Sequence, residues 1–183
     1  PTDAAIVVSR GRYLIAGCFI KTAGQTAVEV LAASTCNLVD VVVSESGGDA
    51  IIYRDGAIGT CEHVRIERAG KCGIVVQAGA NPAFSMVYVT NCVAYGILVE
   101  AATGSFVDCD VSKCNLALVA VRLTGRPDFK RCNLHDSESF GLYCYSQGEG
   151  TFESLDIYST ALAGICCESM GAPSCKACMI HDC

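Results

Sequence analysis

From Ile15 onward the chain repeats itself about every 23 residues. A chain built this way has to fold as a stack of similar units, none of which can bury its apolar face alone. The recurring starts are Ile15, Cys36, Cys61, Phe84, Phe106, Phe129, Phe152 and Cys175, with gaps of 21, 25, 23, 22, 23, 23 and 23 residues. Three residues after each start stand Cys18, Val39, Val64, Val87, Cys109, Cys132, Leu155 and Cys178. Two further on stand Ile20, Val41, Ile66, Val89, Val111, Leu134, Ile157 and Ile180. Three beyond those the side chain is small or short each time: Ala23, Ser44, Ala69, Cys92, Cys114, Ser137, Thr160 and Cys183.

The second half of each unit is as regular. Gly73, Gly96, Gly141 and Gly164 each precede a short apolar alternation, such as Ile74 and Val76 or Ile97 and Val99. The unit from Cys36 reads as carrying two extra residues within Glu45–Asp49, after which Ile51 and Tyr53 resume the pattern, and Ile6 and Val8 read as the tail of an earlier unit. Alternation with period two in short segments marks β-strands with one face buried. The unit is too short for helical repeats or propeller blades, and the leucine-rich signature is missing. The expectation is an all-β right-handed parallel β-helix of about seven turns, in one domain over residues 1–183. Like residues then stack in columns at the strand spacing of about 4.8 Å.

Over half of the residues are apolar (51%) and 17% are charged, which excludes a disordered chain. The net charge of −6 argues against a nucleic-acid partner, because phosphate backbones are held by clustered Lys and Arg. No apolar run reaches the roughly 18 residues of a membrane span, so no membrane partner is expected. The 14 cysteines admit two readings. Disulfide scaffolds are usually short and poor in core, whereas thiols serve well as small buried hydrophobes. The second reading is preferred and points to an intracellular setting. The columns put Cys109 beside Cys132, Cys36 beside Cys61, and Cys92 beside Cys114. The last unit breaks off at Cys183 in mid-turn, so a longer parent chain, or flanking domains or chains at the ends, is expected.

The stretch Gly148–Cys183 carries G-x-G-x-F-E, D-I-Y, A-L-A-G-I, an S-x-x-x-P turn and I-H-D. It resembles the β-helix repeats of the F-box-only family of ubiquitin-ligase substrate receptors. The same repeat class occurs in carbohydrate-binding and sugar-hydrolase proteins and in periplasmic copper-site maturation proteins. The resemblance implies a β-helix fold and, from the receptors, a protein-recognition surface. It carries over no binding residue, because the matching positions are those that build the repeat.

Two outward columns are candidate sites. One reads Phe19, Asp40, Arg65, Tyr88, Asp110, Asn133, Asp156 and Met179. Its carboxylates, with Asp108 nearby, are what a polysaccharide lyase, hydrolase or epimerase would need. Asp108, Asp110 and Asp156 are therefore the catalytic candidates of an alternative reading, against a solvated polar face. His135–Asp136 and His181–Asp182 recur two units apart and are read as turn-forming. Cys175-x-x-Cys178 has metal-like spacing but no second paired motif, so neither a metal nor a cofactor is expected. The other column reads Glu29, Ile52, Val75, Leu98, Ala120, Tyr143 and Cys166. Ile52, Val75, Leu98 and Tyr143 are expected to form an exposed apolar stripe, rimmed by Arg54, Glu100, Arg122 and Glu168, and to bind a protein partner. A non-catalytic interaction scaffold is the leading expectation. A carbohydrate-active or sugar-binding β-helix and a structural rod are the alternatives.

Overall fold

The computed structural model of the protein describes residues 4–183. Among them every regular element is a β-strand. The 24 strands form three parallel sheets of eight, and each strand pairs with the one three places on. Sheet A runs from β1 (Ala4–Val8) to β22 (Ile165–Cys167), sheet B from β2 (Arg12–Ala16) to β23 (Ser174–Lys176), and sheet C from β3 (Phe19–Lys21) to β24 (Met179–His181). The solenoid has eight coils, one more than the repeat suggests, because Ile6 and Val8 make a full strand of sheet A rather than a tail.

Most vertical neighbours lie 23 residues apart, as Val28, Ile51, Ile74 and Ile97 do. Four strand pairs step by 22, at Ile6–Val28, Phe84–Phe106, Val89–Val111 and Ile97–Val119. The last three share one cause, a short corner between sheets A and B. There Ala101 stands alone in the left-handed region, where other coils use consecutive residues such as Ala78–Gly79 or Leu123–Thr124.

The expected insertion in the second unit is absent. Leu38, not Cys36, lies between Ile15 and Cys61, while Cys36 pairs with Tyr13. Val43 rather than Val41 then lies between Ile20 and Ile66. Cys36 and Leu38 are both buried, so alternation alone accepts either one, and the backbone register decides. The Cys36 level continues as Gly59, Pro82, Gly104 and Pro127, an alternation of glycine and proline. Gly59 has φ +152°, and a Cβ there would lie 1.8 Å from the Cys36 carbonyl oxygen.

The corners between sheets B and C form a second regular feature. Gly17, Asp40, His63, Met86, Asp108, Arg131, Ser154 and Ala177 all adopt φ between 52° and 61°. One left-handed residue turns the chain sharply while keeping a β-conformation on each side. Such a corner costs a non-glycine residue roughly 1–2 kcal/mol, and Asp and Asn tolerate it best.

The interior is a set of ladders. Phe84, Phe106, Phe129 and Phe152 stack face to face, with ring centroids 4.6, 4.3 and 5.4 Å apart. Next in that column comes the smaller Cys61, and Tyr53 reaches in from sheet A. Its ring meets Phe84 edge-on at 6.0 Å, and its hydroxyl donates to the Cys36 carbonyl at 2.8 Å. A small residue in one column is thus offset by a large one in the facing column, as close packing requires. All 14 cysteines are free and eight are buried. Cys109 and Cys132 are vertical neighbours, as are Cys92 and Cys114. Their thiols donate to nearby carbonyls, as Cys132 does to Phe106 O at 3.5 Å.

Two outcomes follow from this core. Phe106→Ala removes the middle of a continuous ring stack and is expected to cost about 3–5 kcal/mol in urea unfolding. Burial pushes the thiols of Cys36 and Cys61 up to about 11 and about 12. In a timed alkylation read by mass spectrometry these two should stay unmodified in the native protein, while the exposed Cys18 reacts early.

Candidate functional site

Sheet C carries its distinctive chemistry in its last four coils. Asp110, Asn133 and Asp156 form one outward column, as the sequence suggests. Val42 occupies the place assigned to Asp40, which instead sits at a corner with its carboxylate 3.6 Å from His63 Nδ1. The next outward column is Ser112, His135, Tyr158 and His181. Its three rings stack in parallel, with centroids 4.9 Å apart for His135–Tyr158 and 5.2 Å for Tyr158–His181.

Each histidine lies between two carboxylates. His135 Nε2 is 3.3 Å from Asp110 Oδ1 in the preceding coil, and its Nδ1 is 3.1 Å from Asp136 Oδ2. His181 repeats the arrangement with Asp156 at 3.1 Å and Asp182 at 2.7 Å. The two carboxylates raise the pKa of His181, Asp182 more than Asp156. Tyr158 is also raised, first by partial burial and then by the charges of Asp110, Asp136 and Asp156. The His–Asp dipeptides are therefore more than turn formers, since each imidazole bridges two coils.

Of the three catalytic candidates, the fold brings Asp110 and Asp156 onto one face and takes Asp108 away. Asp108 is a corner residue at φ 54°, held by Arg131 through contacts of 2.7 and 2.8 Å, and that guanidinium keeps its carboxyl below the usual range. Asp110 and Asp156 are two coils apart, about 9.6 Å at strand spacing, just past the upper end of the separation for an inverting glycosidase. The neighbouring cleft of about 270 Å³ is lined at the corner by Asn91, Lys113, Asn115, Asp136 and Glu138, and reaches neither Asp110 nor Asp156. Among the described residues no three His, Cys, Asp or Glu side chains converge as a metal site.

Sheet A presents the second surface. Its outward column is Glu29, Ile52, Val75, Leu98, Ala120, Tyr143 and Cys166, in the expected order. Its exposure differs from the expectation. Val75 and Leu98 are only 6% and 7% exposed, and Ile52 and Tyr143 are half-buried. The stripe is covered from the side. Val75, Leu98, Ala120 and Cys72 form an apolar cluster of their own, and Tyr95 and Tyr145 pack against it. These residues come from the outward columns on either side, so reading one column by itself overstates its exposure.

The surface that remains is aromatic. Phe140, Tyr143 and Tyr145 lie together, with ring centroids 5.1 and 4.4 Å apart. Arg122 stands over the Tyr145 ring at 5.9 Å, donates to its hydroxyl at 3.1 Å, and pairs with Glu100 at 2.6 Å. Tyr143 donates to Glu168 at 2.7 Å, which pushes its phenol up to about 12. Arg54 pairs with the nearly buried Glu29 at 2.8 Å. The rim residues foreseen at Arg54, Glu100, Arg122 and Glu168 are thus all engaged. Tyr95, Phe140 and Tyr145 were missed in the sequence. Tyr95 and Phe140 directly precede turn glycines and Tyr145 lies two beyond Tyr143, positions that the same alternation marks as outward.

The family model for the right-handed beta helix region matches residues 2–127. The chain belongs to the right-handed β-helix family. That stretch holds the first five coils and the start of the sixth, and the same three-sheet pattern continues without a break to β24. No curated protein and no solved structure matches the chain. In this chain the core columns are taken up by stacking, so what it does is read from its outer faces.

Arg122→Ala removes the group that ties Glu100 to Tyr145 across neighbouring coils. It should unpin the Tyr145 ring, read as increased nanosecond motion of that ring by NMR relaxation. The Tyr143 ring, which stacks on Tyr145 but is also held by Glu168, should be affected less.

Proposed function

We propose that the protein is a non-catalytic interaction scaffold of the cell interior and that the outer face of sheet A binds a protein partner. One observation carries this reading: half-buried Tyr95 and Tyr145 pack on a buried apolar cluster, Phe140 and Tyr143 extend the group of rings, and Arg122 with Glu100 holds Tyr145 while Glu168 holds Tyr143. Tyr, Phe and Arg are the residues enriched at the centres of interfaces. Rigid aromatic side chains also lose little entropy on binding. Ile52 and Tyr143 contribute directly to this face. Val75 and Leu98 act from below, as its floor. The resemblance to the β-helix of substrate receptors supports the same use. An intracellular location is supported by the number of thiols built into the core.

A second reading has its own observation. Asp110 and Asp156, with His135 and His181, supply proton-transfer groups along one face, as a polysaccharide-active β-helix would need. Both carboxylates are already engaged by imidazoles, and the nearby cleft bypasses them. The interaction reading is therefore preferred.

The test compares three purified proteins as immobilised baits: the unaltered chain, Tyr143→Ala/Tyr145→Ala, and Asp110→Asn/Asp156→Asn. A partner recovered by the first and third should bind the tyrosine variant about 30-fold more weakly, the effect of losing a hot spot of about 2 kcal/mol. Equal binding by all three would remove sheet A from the proposal. Turnover of any acidic or neutral polysaccharide, with or without Ca²⁺, that Asp110→Ala abolishes would replace it with the second reading.

A further inference from the structure

The two histidine clusters of sheet C share a geometry that a neutral imidazole does not satisfy. A neutral ring has one N–H donor and one lone pair, whereas the imidazolium donates from both nitrogens. In His135 and in His181 both ring nitrogens face carboxylate oxygens, at 3.1–3.3 Å and at 2.7–3.1 Å. With a neutral ring, one of those contacts sets a lone pair against a negative oxygen. With a protonated ring, both become charge-assisted hydrogen bonds. The partners also lie in different coils. Asp110 and Asp156 belong to the coil before each histidine, whereas Asp136 and Asp182 directly follow it in the chain.

We propose that these clusters are proton-operated latches on the outer face of sheet C. When protonated, each imidazole ties its coil to the one before it. When the proton leaves, only one nitrogen still donates, so the tie weakens, and the cluster's charge goes from −1 to −2. Tyr158 stacks between the two rings and feels Asp110, Asp136 and Asp156, so the clusters share one stretch of surface. Among the described residues the other groups facing them are few. On the strands packed against His135 they are Ser112 and Tyr158, with Asn133 on its own strand. Lys113 and Glu138 line the corner cleft beside Asp136. His181 faces Tyr158 and Asp156 across β21 (Asp156–Thr160), with Met179 on its own strand. Among side-chain types, histidine is the one that ordinarily changes charge between about pH 5 and 8.

The direction of the pH effect follows from linkage. His181 is held above its ordinary value of 6.5 in the folded protein, so its latch is complete below that value. It is lost as the pH rises through the raised one. Such a face is stiffer and less negative in a mildly acidic compartment than in a neutral or alkaline one. This holds whatever the rod binds, so it stands or falls separately from the role of sheet A.

The experiment follows the ring nitrogens of the intact chain by long-range ¹H–¹⁵N correlation from pH 5 to 9, with amide protection factors measured over the same range. His181 should stay doubly protonated above pH 6.5, and Asp156→Asn and Asp182→Asn should each lower its midpoint. Protection of the strands Asp156–Thr160 and Met179–His181 should fall across the wild-type midpoint and become insensitive to it in His181→Gln. In Asp110→Asn, protection in Asn133–Ser137 should likewise lose its pH dependence. A His181 midpoint that Asp156→Asn leaves in place, or wild-type protection that ignores pH, would overturn the proposal. All four substitutions sit on the outer face and leave the core columns untouched, so the variants should fold.

Discussion

Successive coils are joined by parallel backbone hydrogen bonds whose register is held at 23 or 22 residues from one end of the described chain to the other. Every side chain therefore has the same position of the neighbouring coil above and below it. That constraint explains the Phe stack, the paired thiols and the columns of Val and Ile together. A parallel ladder admits no choice of neighbour, so whatever residue suits one coil has to suit its own copy about 4.8 Å away. Flat rings and small apolar groups meet that demand, and buried charges do not. The core accordingly holds rings, branched chains and thiols, and the ionic groups are confined to the corners and outer faces.

The same constraint sets how much of the fold could be read from the sequence. Columns of like residues are visible as periodicity, so the sheets, the unit length and the neighbours Ile157–Ile180 and Cys109–Cys132 were legible. The second unit misled because Cys36 and Leu38 have the same parity, and the apolar pattern does not distinguish a register from one shifted by two. What separates them is the alternation of glycine and proline at the Cys36 level, a backbone requirement rather than an apolar one. The corners were illegible for a related reason. Asp40, His63, Met86, Arg131 and Ser154 share a dihedral angle and no side-chain chemistry, so the position that draws Asp108 away from Asp110 leaves no compositional trace.

The candidate surfaces were legible only in part, because an outer face is two-dimensional and a column is not. The order of the sheet A stripe was correct. Its burial depended on Tyr95, Cys72 and Tyr145, which stand beside it rather than in it. On sheet C the carboxylate column is visible in the sequence, whereas the imidazole column next to it reads there as turn chemistry. The bond from His135 to Asp110 runs diagonally, 25 residues back along the chain, an offset that a search at the 23-residue period passes over.

Inward positions are fixed by stacking, whereas outward positions are free to differ from coil to coil, so departures from the repeat on the outside are where selection for function can act. Sheet A breaks its aliphatic pattern with aromatic rings at Tyr95, Phe140, Tyr143 and Tyr145, and most of its charges are paired, through Arg54–Glu29 and Arg122–Glu100, while Glu168 accepts from Tyr143. A face that has paired most of its charges and holds its rings loses less desolvation energy and entropy when covered. Sheet C does the reverse, keeping four carboxylates around two titratable rings and so a charge that varies with pH. The two faces meet different physical requirements on one scaffold, and they can do so because the core beneath them depends on neither.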